Sequence, residues 1–206
     1  MPRSSDPNEI PERLAQAGQE LFLSQGYNAT GIQQIANRAG VPKGSFYNHY
    51  ASKDLFAAAI VDRYAQQAEK GWARIMECAP KGAMDSIRHL FTFIIRHYED
   101  ERQQKGCLVG NFAAEIASSS ELCRERLIAA QDSWRERLAN LIKRGQKEGD
   151  IRTDIDAWKL STLTWNIWEG AILQMKMEQS TTPLKENMFL FFERFYGVEN
   201  EVTVAI

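Results

Sequence analysis

Cysteine is scarce in this sequence of 206 residues, and its positions are Cys78, Cys107 and Cys123. Because three is an odd number and the spacing is too wide for a metal site, neither a disulfide framework nor a cysteine metal centre is expected. Reduced thiols of this kind are typical of a cytoplasmic protein. We interpret Cys78 and Cys123 as structural.

Long apolar runs are also absent. No stretch approaches the about 20 residues that cross a bilayer. The first residues, "MPRSSDPNEIPERLA", have no apolar core of the kind that signal peptides contain. The sequence therefore predicts a cytoplasmic protein with no membrane partner.

The residues of a catalytic or metal site are missing as well. The three histidines, His49, His89 and His97, are scattered along the chain. Asp85 precedes His89 by one helical turn, but this pair alone completes neither a metal site nor a catalytic triad. We therefore expect no enzymatic activity, no metal site and no cofactor.

Acidic residues are absent from one segment, although the whole chain has a formal net charge of -2. Between Asn28 and Lys53 the charged residues are Arg38, Lys43 and Lys53 itself. A segment without carboxylates can approach phosphates without repulsion. The overall charge predicts no nucleic-acid binding, so any basic surface has to be local.

Helical periodicity dominates the chain, without a strand pattern, a repeat or a low-complexity tract. Apolar residues within 10–22 recur on one helical face, and Gly26 ends this first helix. Thr30 and Gln33 have the spacing of a capping box, which predicts a short second helix that closes at Gly40. A third short helix follows the dipeptide "VP".

The remaining helices are longer. Ser52, with Asp54 in the first turn, predicts the start of a helix that runs to roughly Met76. We place a domain boundary at this start, between residues 1–53 and 54–206. The last two helices, "AWKLSTLTWNIWEGAILQMKM" and "PLKENMFLFFERFY", are apolar around most of their circumference, which requires burial on more than one side. The second partner is expected to be another subunit.

Three short helices with a tight glycine-containing turn between the second and third are typical of a helix-turn-helix. The third helix would enter the major groove of DNA, with its first residues at the base edges. Phe46 and Tyr50 on this helix are expected to anchor it in the core.

The segment "TGIQQIANRAGVPKGSFYNHYASKDLF", residues 30–56, resembles the signature of the TetR family of bacterial repressors. Gly31 stands where a second Thr is common, and Pro42 replaces the usual Ser before the recognition helix. Tyr50 and Phe56 replace the usual Phe and Leu and keep a large apolar body. The matching positions are Thr30, Ile35, Ala36, Ala39, Gly40, Val41, Gly44, Tyr47, His49 and Lys53.

The resemblance implies an all-α protein. Its N-terminal three-helix helix-turn-helix domain would be joined by a long helix to a C-terminal helical domain for ligand binding and dimerisation. Dimerisation through the last two helices would relate two recognition helices by a two-fold axis, so that they read a palindromic operator in double-stranded DNA.

Side-chain chemistry suggests roles within the DNA-binding segment. Lys43 can donate to guanine N7 and O6, and Ser45 can bond to a base edge or a phosphate. Gly44 allows close approach of the backbone, while Gln33 and Asn48 are within reach of bases. The residues expected to hold phosphates are Thr30, Tyr47, His49 and Lys53. The alternative is a solvated basic loop beside a small core.

The ligand pocket that the resemblance implies is harder to place. Asn111 and Glu115 lie one turn apart on an apolar helix and could orient a ligand or form the solvated edge of that helix. The aromatic residues that could line a cavity, or equally form plain core, are Trp134, Trp165 and Trp168, with Trp72, Phe91 and Phe112.

The segment "KGCLVGNFAAEIASSSEL" places Cys107 at a helix N-terminus with Lys105 nearby, and both features favour the reactive thiolate. It resembles a TetR subgroup that includes the N-ethylmaleimide reductase repressor and acrylate-responsive regulators, in which Gly-Cys-Leu opens the corresponding helix. The resemblance implies that Cys107 senses electrophiles. Lys176, a lone cation on an apolar helix, is a candidate for the same pocket. The alternative for Cys107 is an inert buried thiol.

The sequence thus predicts a DNA-binding transcriptional regulator, a homodimeric repressor that a small-molecule or electrophile effector releases from its operator. The long helix from Ser52 is the expected lever, because it joins both halves. The alternative is a helix-turn-helix DNA-binding protein without a small-molecule ligand. The long second domain argues against a purely architectural role, since a minimal DNA-binding domain of this kind needs only the first ~55 residues.

Overall fold

A computed structural model describes residues 9–100, without the side chain of Asp100, and residues 106–197. Every regular element in these two ranges is helical, which confirms the all-α prediction. Lys105, which was expected beside Cys107, lies outside the described residues. The helices are α1 (Ile10–Gln25), α2 (Ile32–Ala39), α3 (Lys43–Tyr47), α4 (Lys53–Glu77), α5 (Ala83–Asp100), α6 (Leu108–Glu115), α7 (Glu121–Glu148), α8 (Ala157–Glu178), α9 (Thr182–Phe191) and a π-helical turn (Phe192–Tyr196).

The chain forms two compact units. The first contains Met1–Ala68 and Lys105–Gln131, and the second contains Glu69–Gln104 and Asp132–Ile206. Helices α4 and α7 therefore contribute residues to both units. The boundary expected after residue 53 falls inside the first unit, because α6 and the first part of α4 belong with the three short helices.

An aromatic core joins α1, α3 and α4 in the first unit. Phe22, Phe46 and Phe56 are fully buried, and burial of each contributes about 1.5–3 kcal/mol. Phe56 packs against the backbone of Gly18, where its ring takes the place of a Cβ. The ring of Tyr50 lies 4.7 Å from that of Phe56, centre to centre, and burial raises the pKa of Tyr50. These contacts confirm that Phe46 and Tyr50 anchor α3.

The start of α2 differs from the prediction by one residue. Gly31, rather than Thr30, is the N-cap, and Gln34, rather than Gln33, closes the capping box. The Gln34 Oε1 atom accepts from the Gly31 N–H at 2.7 Å. Glycine has no side-chain acceptor, so only the glutamine half of the box contributes a side-chain bond. By side-chain chemistry Thr30 is the better N-cap, so the sequence pattern placed the cap there. In the structure its hydroxyl bonds to the Gly26 carbonyl instead.

The second unit has its own aromatic core, formed by α5, α8 and the π-helical turn. The ring of Phe91 lies 5.2 Å from that of Trp168 and 5.1 Å from that of Phe192, measured between centres. The hydroxyls of Tyr196 and Thr164, both buried, lie 2.7 Å apart. This bond satisfies the two polar atoms within the core, and burial raises the pKa of Tyr196.

The last two helices carry apolar side chains on two faces, as their sequences predict. Residues on one face are buried inside the second unit, among them Leu160, Ile172, Met175, Leu184 and Met188. The large apolar residues that remain exposed on α8, α9 and the π-helical turn are Trp158, Leu163, Leu173, Met177, Phe189, Leu190 and Phe195. Such an exposed apolar surface is typical of an interaction site.

Candidate nucleic-acid interface

A tight turn connects α2 to α3. Gly40 ends α2 in the left-handed conformation, with φ 66° and ψ 37°. The N–H groups of Gly40 and Val41 donate to the carbonyls of Asn37 and Ala36, respectively, which is the Schellman pattern of helix termination. Val41 is buried, so an apolar contact holds the far side of the turn. A residue with a Cβ would be strained at position 40, which explains the glycine there.

Arg13 of α1 also holds this turn, a role that was not predicted from the sequence. Its Nη2 atom donates to the carbonyl of Ala39 and, at 3.0 Å, to that of Gly40. These carbonyls lie at the C-terminal end of α2, where a cation is favourable. No local sequence pattern could reveal the contact, because Arg13 and Ala39 are 26 residues apart.

Helix α3 presents most of the predicted DNA-binding residues to solvent. Phe46 faces inward, whereas Ser45 is half-buried. Pro42 caps the helix without a side-chain bond, as expected for proline. A Cβ at Gly44 would meet no atom within 4 Å, so nothing inside the described protein requires a glycine there. The exposed residues around α3 are Lys43, Gly44, Tyr47, Asn48 and His49.

Two other residues of this segment have partners inside the protein. The amide of Gln33, exposed on α2, donates to Asn37 Oδ1 at 2.8 Å. Arg38 forms an ion pair with Glu20 of α1, with 2.8 Å between Nη2 and Oε2. The acid-free segment therefore receives a carboxylate from α1, which the sequence of the segment alone does not show.

Thr30 is not placed to touch a phosphate with its side chain. The residue is fully buried, and its hydroxyl donates to the carbonyl of Gly26 at 2.7 Å. The same oxygen accepts from the amide of Gln25 at 3.1 Å. The phosphate role predicted for this side chain is therefore corrected: Thr30 closes the loop between α1 and α2.

Lys53 is half-buried and bound to the same loop. Its Nζ donates to the carbonyl of Tyr27 at 2.6 Å and lies 3.9 Å from the centre of the Tyr27 ring. The Tyr27 hydroxyl donates in turn to the carboxylate of Asp54. Burial lowers the pKa of Lys53, while the carboxylates of Asp54 and Glu115 act in the opposite direction. In this structure Lys53 links the loop to the start of α4.

Helix α6 contacts the helix-turn-helix directly. Phe112 is fully buried, and its ring centre lies 5.0 Å from that of Phe22 in α1. At the end of α6, the carboxylate of Glu115 accepts from the backbone N–H of Asn28 at 2.8 Å. Glu115, predicted as a ligand contact or a solvated edge, is thus bonded to the α1–α2 loop. Asn111, one turn earlier, is half-buried.

Cys107 is the N-cap of α6, as predicted from its position before "LVG". The thiol is free and 7% exposed, and its Sγ lies 3.9 Å from the hydroxyl of Tyr64 in α4. Cys123 is buried, and its Sγ lies 3.6 Å from the carbonyl of Asp54. Burial raises the pKa of Cys123, which makes it a packing residue, as predicted. Cys78 is exposed, so the structural role expected for it is corrected.

The predicted tryptophans form one cluster in the second unit. The rings of Trp134 and Trp165 are 5.1 Å apart, and Trp134 also meets Trp72 at 6.2 Å, between centres. Trp165 and Trp168 are buried, whereas Trp134 is half-buried. Lys176, half-buried on α8, belongs to this unit too. The predicted ligand residues are therefore divided between units, since Cys107, Asn111 and Glu115 belong to the first.

The sequence matches two family models that together span most of the chain. Residues 14–60 match the model described as "Bacterial regulatory proteins, tetR family". Residues 83–191 match the model described as "Tetracyclin repressor-like, C-terminal domain". The chain belongs to the TetR family. The resemblance inferred from residues 30–56 is confirmed, and TetR membership extends to the helical domain.

Several TetR relatives are similar over nearly their whole length. The repressor DhaR of Mycobacterium sp. (strain GP1) is 31% identical over 89% of this chain and 91% of its own. The regulator AcuR of Cereibacter sphaeroides is 32% identical over 95% of this chain and 90% of its own. The solved regulatory protein TetR from Rhodobacter sphaeroides superposes with a TM-score of 0.84 at 28% identity, covering 91% of this chain and 99% of that one.

Membership of the TetR family makes this protein a DNA-binding transcriptional regulator, and its curated relatives are regulators rather than enzymes. Among the residues described by the structure, no group of histidines, cysteines and carboxylates is placed to hold a metal ion. Within the same residues, no helix combines the length and the apolar character needed to span a membrane.

Proposed function

We propose that this regulator is a homodimeric repressor that reads a palindromic operator through α3 and leaves it when an electrophile or another small molecule acts on the protein. The observation that carries the proposal is the division of α3: Phe46 is buried, while Lys43, Gly44 and Asn48 are exposed. A helix anchored on one side by an aromatic core can present the other side to the major groove.

We assign base contacts to Lys43, Ser45 and Asn48, in α3 and just after it. Lys43 and Asn48 are exposed and Ser45 is half-buried, and each carries a group that can hydrogen-bond to a base edge. Gln33 on α2 is a further candidate. Tyr47 and His49, exposed at the end of α3, are assigned to phosphates and thus fix the register rather than the sequence that is read.

Lys53 is also proposed for a phosphate contact, but only after it leaves the Tyr27 carbonyl or shares its three donors. A half-buried amine that already donates one bond has other N–H groups left for an anion. The proposed contact is therefore weaker than that of a fully exposed lysine, since part of its charge is offset by Asp54 and Glu115.

The experiment that tests base reading is selection of bound duplexes from a random pool, performed with the wild-type chain and with Lys43→Ala. We expect the variant to lose preference at one base pair in each half-site, at a cost of about 1–3 kcal/mol on the wild-type sequence. His49→Ala is the matched control and should weaken all duplexes alike while it flattens the salt dependence. A consensus unchanged by Lys43→Ala would contradict the assignment.

The proposed partner for the exposed face of α8 and α9 is a second copy of this chain. On α8 the exposed positions recur at three and four residues, which is one face of a helix. Gly170 lies in this row, and a Cβ there would meet no atom within 4 Å, so a second helix can approach closely. The row consists of Leu163, Asn166, Gly170, Leu173 and Met177.

The continuation of that row on α9 supports a two-fold arrangement. Phe189 and Leu190 are exposed on α9, and Phe195 is exposed in the π-helical turn that follows. A patch shared by two helices of the same chain suits an isologous interface, in which the same surface of both copies meets. The two copies of α3 would then have to lie about 34–36 Å apart to meet successive major grooves.

The effector is proposed to act at Cys107. A thiolate adds to the β-carbon of an electron-poor alkene, and solvent delivers the proton to the α-carbon, so the step needs no further reactant. The helix N-terminus favours the thiolate, although the low exposure of the residue requires a local opening before reaction.

Helix α6 is the proposed route from Cys107 to DNA. New atoms on the sulfur would collide with the nearby Tyr64 hydroxyl of α4 and displace the start of α6. The other end of this short helix holds the α1–α2 loop through Glu115 and packs on α1 through Phe112. Movement of α6 would thus reach the helix-turn-helix, together with the movement of α4 expected from the sequence.

Cys107→Ser is expected to abolish release of DNA by N-ethylmaleimide while leaving operator affinity in its absence unchanged. Serine is close to cysteine in shape, although slightly smaller, and cannot form the thioether. The measurement is fluorescence anisotropy of a selected duplex before and after treatment. Cys78→Ser is the matched control, because Cys78 is exposed and should be alkylated without consequence. Normal release from Cys107→Ser would assign Cys107 to packing.

A noncovalent ligand is the second proposed mode, with Trp134 as its first contact and Trp165, Trp168 and Lys176, all of the second unit, as further candidates. Trp134 lies at the half-buried edge of its cluster, where a flat apolar molecule could stack. Binding at a hundredfold excess over Kd would stabilise the folded state by about 2.7 kcal/mol. A regulator without a ligand would show no shift in melting temperature with any candidate.

A further inference from the structure

Arg13 acts on the recognition helix without belonging to the surface that meets DNA. It lies in the first turns of α1, and its half-buried side chain reaches the turn between α2 and α3. One nitrogen, Nη2, donates to both the Ala39 carbonyl and the Gly40 carbonyl. The same nitrogen would lie 2.8 Å from a Cβ on Gly40, so the guanidinium packs directly on the turn.

The turn needs a donor from outside because its own N–H groups are used or missing. The N–H groups of Gly40 and Val41 already donate back into α2. Pro42 has no N–H and cannot donate to the Ala39 carbonyl, three residues earlier. The last carbonyls of a helix carry partial negative charge, so a guanidinium is the most favourable substitute.

We propose that Arg13 is a positioning residue for DNA recognition, which sets the direction in which α3 leaves the turn. Lys43, Gly44 and Ser45 follow Pro42 immediately, so a small rotation of the turn moves all three relative to the base edges. The aromatic anchor at Phe46 is three residues after Lys43, so the direction of this first turn also depends on the turn that precedes it.

A positioning role for Arg13 affects sequence-specific and nonspecific DNA binding to different extents. Contacts to base edges require close alignment of side chains, whereas phosphate contacts tolerate small displacements. Loss of the Arg13 bonds should therefore weaken binding to the selected sequence more than binding to other DNA. A residue that only stabilised the fold would lower both affinities together, in proportion to the folded fraction.

The test uses Arg13→Met, which keeps the length of the side chain and removes its donors, and Arg13→Lys, which keeps the charge. The full chain is titrated below its melting temperature with the duplex that the wild-type chain selects and with a scrambled duplex. We expect Arg13→Met to weaken binding to the selected duplex about tenfold and to the scrambled duplex less than about twofold. Arg13→Lys should recover part of the difference.

Glu12→Gln is the matched control. Glu12 is adjacent in α1, and its carboxylate accepts two bonds of 2.6 Å from Arg63 of α4, away from the turn. This variant should keep the wild-type ratio of the two affinities. The positioning role would be overturned if Arg13→Met left the ratio of the two affinities unchanged, or if Glu12→Gln lowered that ratio by the same amount.

Hydrogen exchange of the free protein provides a readout that does not depend on any operator. Arg13→Met should accelerate exchange of the amides of Gly40, Val41 and Ser45, which donate bonds in the turn and at the start of α3, and leave the second half of α4 unchanged. Uniform acceleration, or none, would overturn the proposal. Failure of the wild-type chain to select any duplex would count against the proposed operator reading instead, so the two failures are distinguishable.

Discussion

Replacing Leu173 with glutamate is expected to convert the proposed homodimer into monomers and to weaken operator binding by about 100-fold or more. Leu173 is 58% exposed on α8, in the middle of the row of exposed positions that we assign to the interface. A charge there would have to be buried against the partner copy, with no opposite charge from its own row. Each half-site would then be bound independently, without the gain from linkage.

The change should leave the folded monomer nearly intact. Substitutions at exposed positions usually alter the free energy of unfolding by less than about 0.5 kcal/mol. Mass measurement by light scattering and operator titration therefore report on assembly, while circular dichroism verifies the fold. Leu173→Glu that remained dimeric would exclude this face of α8 as the interface.

Ile128→Glu is the matched control for Leu173. Ile128 is 50% exposed on a helix of the first unit and lies outside the α8 and α9 surface. The substitution introduces the same charge at an equally exposed apolar position. It should leave both the mass and the operator affinity as in the wild type. Loss of the dimer in both variants would indicate a general effect of charge rather than a defined interface.

Gly44→Ala is expected to stabilise the free protein and yet to weaken operator binding by about tenfold, comparable to the loss of one good base contact. Among the described glycines, Gly44 is not one of those with positive φ, and space for a Cβ is open. Alanine therefore suits the helix better, by up to about 1 kcal/mol in the free energy of unfolding. The added methyl group would point into the space that DNA has to enter.

Gly71→Ala separates the two effects of this prediction. Gly71 lies inside α4, also without positive φ and without any atom within 4 Å of an added Cβ. This variant should gain stability and keep the operator affinity of the wild type. Thermal unfolding and titration with a selected duplex measure both quantities for each variant. Full affinity in Gly44→Ala would show that the backbone of α3 does not approach DNA at this point.

Local physics made much of the helix-turn-helix predictable. Gly40 has the conformation that only glycine adopts without strain, and Phe46 is the apolar residue of a short polar helix. Both features depend on neighbours within a few positions, so the sequence carries them directly. The exposed row on α8 was predictable for the same reason, since helical periodicity alone places Leu173 and Met177 on one side.

The misplaced cap at α2 shows where local rules compete. Thr30 and Gly31 are adjacent candidates, and intrinsic preference favours threonine. The Thr30 hydroxyl instead closes the preceding loop through Gly26 and Gln25, and this bond within the loop decides the cap. The intrinsic capping preference of a residue type therefore cannot decide between two neighbouring N-cap candidates whose side chains have different hydrogen-bond partners in the folded protein.

The sequence by itself determined the all-helical class, the TetR signature, the division of α3 into an anchored and an exposed side, and the second apolar face of the last helices. Only the tertiary structure decided that Arg13 completes the turn and that Glu115 binds the α1–α2 loop, 87 residues away from Asn28. Helix periodicity and turn chemistry act over a few residues, whereas these bonds form only when the chain has folded. The sequence does not indicate which distant carbonyl or N–H group a polar side chain will bond to.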